Sequence, residues 1–223
     1  MSREFDGIDD FITFGNLAPI TILSFSAFYK LDAWTTTAGM RVVGKESSLN
    51  AVDNVDVSKG WQFFADWSGT DGTWVTPASS IALGAWANVV ATYDGSLTTN
   101  DPKVYINGVS QAITEKTTPT GSYPADATLA FRIGNNATPG VRAWDGRIAE
   151  VGYWNRILSE KEAYMLSKGY SPLFFPRGLV VYVPLGGNFN PEKNFTNLKK
   201  TGTITGATKA PHPRIIYPRN FSR

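Results

Sequence analysis

Carboxylates are the side chains of this sequence best placed to do chemistry, because most alternatives are missing. Its 223 residues include no cysteine and one histidine, which excludes thiolate nucleophiles, thiolate metal sites and histidine-rich zinc sites. That histidine lies in Ala210-Pro211-His212-Pro213-Arg214, a proline-flanked stretch unsuited to a Ser-His-Asp triad. No glycine-rich loop leads into a lysine in the pattern that cradles phosphates. Glycosidic hydrolysis remains to be tested, and it needs two carboxyl groups about 5–10 Å apart. Acids at alternating positions of a strand would share a face, and no predicted strand carries that pattern. Asp145 and Glu150 are five apart, which on a regular strand sends them to opposite faces. The chain is therefore not expected to be an enzyme.

Binding chemistry is better supplied. Trp67, Trp74 and Trp144, with Trp34, fall near predicted strand ends or loops, beside Asp71, Asn135, Asn136 and Asp145. A flat ring next to carboxylates and amides grips a sugar: the ring packs on C–H bonds and the polar groups take hydroxyls. Trp67, Trp74, Trp144, Asn135 and Asp145 are thus candidate carbohydrate-binding residues. Trp86 and Trp154 are expected in the core. Only the C-terminal end is basic, with no folded face interleaving cations and aromatics, so nucleic acid is not an expected partner.

The elements that must position these residues are mostly strands. Hydrophobic residues make up 42 % and charged residues 18 %, with 21 Gly and 13 Pro, a composition for many strands joined by tight turns. Alternation puts Leu23, Phe25, Ala27 and Tyr29 on one face, and Val89, Ala91 and Tyr93 on another. Asn107-Gly108, between Lys103–Ile106 and Val109–Ala112, predicts a two-residue hairpin because both turn positions need positive φ. Further strands are expected at Phe11–Phe14, Met40–Lys45, Trp61–Trp67, Thr73–Thr76, Leu129–Gly134, Arg147–Trp154 and Leu179–Val183. One helix is predicted over 159–168, opened by the capping box Ser159-Glu160-Lys161-Glu162 and stopped at Gly169. No run approaches the roughly 18 apolar residues of a membrane span.

Charge is uneven along the chain. Residues 1–170 carry 13 Lys/Arg against 18 Asp/Glu, and 171–223 carry 8 against 1. Prolines punctuate the second stretch, and only Leu179–Leu185, with Thr201–Ala207 behind it, reads as strand. Two units follow: a sandwich over 1–185, and an extended arm over 186–223 with little core of its own. Lys199, Lys200, Lys209, Arg214, Tyr217, Arg219 and Phe221 make that arm a candidate attachment to an acidic assembly or sister subunit.

Several segments, in order, resemble the laminin-G-like, concanavalin A-like jelly-roll family. They are Phe5-Asp6-Gly7-Ile8-Asp9-Asp10-Phe11-Ile12, the strand Thr21–Phe28, Trp86–Gly95 followed by Val104–Gly108, and the stretch Phe131–Gly134, Asp145–Val151 and Trp154–Ser159 with its helix. The resemblance spans roughly residues 3–169. It implies an all-β, two-sheet antiparallel sandwich with a glycan- or protein-binding habit. Family members often have Asp-Glu where this chain has Ala149-Glu150, and that Asp can belong to a calcium site. Alanine offers no oxygen, and calcium wants six to eight. No cofactor is expected, with calcium, held by Asp6, Asp9 and Glu150, the one metal to test.

The functional expectation is a non-catalytic structural or binding protein. A phage virion component, such as a capsid-decoration or appendage protein displaying a lectin-like sandwich, comes first. A freestanding carbohydrate-binding lectin is the alternative, and a glycoside hydrolase a distant third. The opening residues carry no export leader, which fits release by lysis and localisation to the virion, or otherwise to the cytoplasm.

Overall fold

Asn107 and Gly108 both have positive φ, 52° and 79°, so the predicted hairpin forms, and strands like those it joins build most of the molecule. A computed structural model describes residues 2–34, 39–45, 54–56, 60–78, 80, 82–123, 130–135, 142–186, 189–196 and 200–219. In chain order the strands begin with β1 (Ser2–Asp6), β2 (Phe11–Asn16), β3 (Ile22–Leu31), β4 (Met40–Arg41), β5 (Val43–Lys45) and β6 (Asn54–Asp56). There follow β7 (Gly60–Ala65), β8 (Gly72–Val75), β9 (Trp86–Asp94), β10 (Lys103–Ile106), β11 (Val109–Ser110) and β12 (Thr114–Thr117). The last six are β13 (Ala130–Ile133), β14 (Asp145–Trp154), β15 (Leu179–Val183), β16 (Glu192–Lys193), β17 (Thr201–Thr205) and β18 (Thr208–Ala210). Helix α1 (Glu160–Ser167) precedes β15.

One layer is an eight-stranded sheet in the order β11-β10-β9-β3-β14-β1-β18, with β15 also paired to β14. Two five-stranded sheets, β12-β8-β7-β6-β4 and β16-β17-β2-β13-β5, form the other layer. The run 40–45 passes from one of these into the other. All pairings of named strands are antiparallel. The core lies between the layers, where Phe25 and Tyr29 of β3 meet Trp61, Tyr93 of β9 meets Phe63 and Trp74, and Tyr153 of β14 meets Phe131. The chain is an all-β antiparallel sandwich, as expected.

The helix sits on the outer face of the eight-stranded sheet. Its capping box is complete: Glu162 N–H donates to Ser159 Oγ at 3.3 Å, and Ser159 N–H to Glu162 Oε2 at 2.8 Å. Arg156 adds a two-pronged contact to the same carboxylate, at 2.9 and 2.5 Å, which holds Glu162 down to about 2. Ala163 and Leu166 pack with Val90, Tyr105, Trp154 and Leu158 in a small second core.

The extended arm expected over 186–223 is corrected by the strand pairings. Thr203–Thr205 of β17 pair with Phe11–Thr13 of β2, and β18 pairs with Ser2–Glu4 of β1. Arg3, 5 % exposed, donates to Glu192 at 2.7 Å and to the Phe189 carbonyl at 2.7 Å. The physical reason is that β1 and β2 each leave a row of backbone donors and acceptors unpaired, and these late strands satisfy them. Lys199 and Phe221 lie outside the described residues. Lys200 donates to the Asn16 carbonyl, while Lys209, Arg214 and Arg219 are exposed and Tyr217 is half-buried.

Candidate functional site

The expected sugar-stacking rings are inside the protein. Trp67, Trp74 and Trp144 are 5 %, 1 % and 0 % exposed. Trp67 packs on Tyr123, Trp74 on Tyr93 and Phe63, and Trp144 edge-on against Tyr29. No ring face is left for a ligand, so these three are core residues. Asn135 is likewise buried. Trp154 is in the core as expected, whereas Trp86 is only half-buried.

Asp145 does line a cavity, with Glu4, Asp6, Asp9, Asp10 and Thr208, of about 510 Å³. The β1–β2 turn gathers the acids: Ile8 N–H donates to Asp6 Oδ1 at 2.9 Å, and Asp6 N–H to Asp10 Oδ2 at 3.0 Å. Carboxylate oxygens of Asp6, Asp9 and Asp10 lie within 4.8 Å of one another. Burial, with Asp6 and Asp9 beside it, pushes Asp10 up to about 6. Burial and the charges of Asp32, Asp6 and Glu4 also raise Asp145. Gly206 backs this cluster at φ +74°, where an added Cβ would stand 1.5 Å from Asp10 Oδ1, so only glycine fits.

The expected calcium trio does not assemble. Glu150 is the extra residue of a bulge in β14, with φ 54°. It is buried and accepts from Tyr182 Oη at 2.7 Å and Tyr217 Oη at 2.5 Å, with His212 Nε2 at 3.2 Å. Asp10 takes its place beside Asp6 and Asp9. Three carboxylates suit a hard cation but supply fewer than the six to eight oxygens calcium prefers.

The Asp10 shift has a sign. A carboxyl held above its ordinary value favours the fold while protonated, and that contribution is lost as pH rises from about 4 to about 6. In chelator, Asp10→Asn should therefore raise the thermal midpoint more at pH 7 than at pH 4. Equal shifts at both pH values would show that Asp10 ionises without cost.

A second concavity, about 560 Å³, lies on the outer face of the eight-stranded sheet. Its floor is Thr92 of β9 and Tyr105 of β10, and its walls are the 94–101 loop and the segment Ile157–Glu160 entering α1. Thr92 and Tyr105 are each 3 % exposed, with what remains accessible opening onto the groove. Burial and the nearby Glu160 charge raise the Tyr105 hydroxyl. Asp101 is fixed by Trp74 Nε1 at 2.6 Å, Asn100 donates to the Asp94 carbonyl at 3.0 Å, and Ile157 is exposed beside them. Sequence reasoning missed this groove. The alternation of β9 shows that Thr92 faces away from the core, but not that a loop and a helix start wall it in.

Comparison with known proteins gives the fold a lineage. A family model described as the concanavalin A-like lectin/glucanases superfamily matches residues 6–163. No curated protein matches the chain at a significant level. Among solved structures, a Bacteroides ovatus protein assigned to carbohydrate binding is 18 % identical over 96 % of this chain, with a TM-score of 0.65. The chain spans 61 % of that protein's length. A heptameric pentraxin from Limulus polyphemus is 18 % identical, covering 74 % of this chain and 81 % of its own, with a TM-score of 0.49. Domains LG4-5 of mouse laminin α1 are 13 % identical, covering 68 % and 40 %, with a TM-score of 0.48.

Proposed function

The chain belongs to the concanavalin A-like lectin/glucanases superfamily, and from that premise we propose that it is a non-catalytic carbohydrate-binding protein whose ligand occupies the outer groove. The observation that carries this reading is the pair of hydroxyls, of Thr92 and Tyr105, that open onto the groove floor. Each hydroxyl both donates and accepts, so a sugar hydroxyl in the groove can hydrogen-bond to either. Asn100, Asp94 and Asp101 supply further acceptors, and Ile157 an apolar surface for C–H bonds.

Glycan-array screening followed by calorimetry tests the proposal. Tyr105→Phe and Thr92→Val should each weaken binding about 3–10-fold, the scale of one neutral hydrogen bond, with the thermal midpoint kept. Unchanged affinity in both variants would place the ligand elsewhere, and release of reducing ends would make the protein a hydrolase. A second reading, a virion component attached to a larger assembly, is favoured by the exposed cations Lys209, Arg214 and Arg219. Its signature is attachment that weakens as salt rises.

A further inference from the structure

Resting on the groove as the carbohydrate site, we infer that its preferred ligand is a cationic amino sugar. The walls carry three carboxylates, Asp94, Asp101 and Glu160, against a single cation, Lys103. None of the four forms an ion pair among the described residues; the pairs found join Arg3 to Glu192, Lys30 to Asp32, Arg147 to Glu4, Arg156 to Glu162 and His212 to Glu150. The groove thus presents a net negative field over a floor that offers two hydroxyls.

A protonated amine on a pyranose answers both features. The ring hydroxyls meet Thr92 and Tyr105, and the ammonium, a donor only, meets carboxylates that are acceptors only. Asp101 is held for this by the Trp74 indole at 2.6 Å, which fixes one oxygen and leaves the other for ligand. A uronic or sialic acid would bring a fourth carboxylate against the three, so acidic sugars should be rejected.

The experiment is calorimetric titration of the intact chain with three probes in mildly acidic buffer: glucosamine oligomers, their N-acetylated counterparts and oligogalacturonate. The glucosamine oligomer should bind at least about 10-fold more tightly than the N-acetylated one at low salt, and the gap should narrow at high salt. Asp94→Asn combined with Glu160→Gln should remove most of the gap, weakening the glucosamine oligomer far more than the N-acetylated one. Equal affinities for amine and N-acetyl probes, or tighter binding of the uronate, would overturn the inference while leaving the groove a sugar site. Binding of all probes that is indifferent to Tyr105→Phe and Thr92→Val would overturn the groove itself.

Discussion

A chain ending at Leu185 is expected not to fold. Truncation there removes β17 from beside β2 and β18 from beside β1, opening two edges that the intact protein closes with its own backbone. It also takes Glu192 from Arg3, whose guanidinium lies inside with 6 % of its side chain exposed. Breaking a buried pair by removing one partner costs about 3–5 kcal/mol, a large share of the 5–15 kcal/mol that keeps a domain folded. Glu192→Ala isolates that contribution in the full-length chain and should lower stability by about the same 3–5 kcal/mol in a urea titration. A truncated chain that melts cooperatively at the native midpoint would show that the late strands are ornamental.

Alanine at Trp74 or Trp144 should cost about 3–5 kcal/mol each, the usual penalty for deleting a large buried ring. Trp144 is fully buried and packs on Tyr29, which packs in turn on Trp61. Trp74 ties the core to the groove through Asp101. Its loss should therefore loosen the 94–101 loop as well as the core. Chemical denaturation measures the first effect, and calorimetry on protein that remains folded measures the second. A Trp144→Ala protein with native stability and no glycan affinity would return that ring to the binding surface.

These tryptophans show where sequence legibility ended. Alternation placed the strands because a half-buried strand repeats every two residues, and the capping box and Asn107-Gly108 located the helix and a hairpin by local chemistry alone. Whether a ring near a strand end faces solvent depends on what folds over it, and Trp67 is covered by Tyr123, more than fifty residues away. Glu150 failed for a different reason. A bulge in β14 sets it at positive φ, where its carboxylate accepts from Tyr182 and Tyr217 rather than reaching Asp6 and Asp9, and neither partner is near it in sequence. The late strands were hard to see because Thr201–Thr205 and Thr208–Ala210 are short and largely polar, and take their shape from β2 and β1. The acidic cavity is only partly legible: Asp6 and Asp9 stand out as candidate metal ligands, but nothing local brings Asp145, expected as a sugar-binding acid, beside them with Asp10.

The pairing of Ser2–Glu4 with Thr208–Ala210 also orders events in time. On a ribosome one edge of β1 waits for a partner made some two hundred residues later. Helix α1 and the hairpin at Asn107 need only near neighbours and can form early. Loops that long are closed late, since their entropy is lost before the contact rewards it. Strand β1 is thus made long before its edge is sealed, and β18 acts on the nascent sandwich like a late stitch.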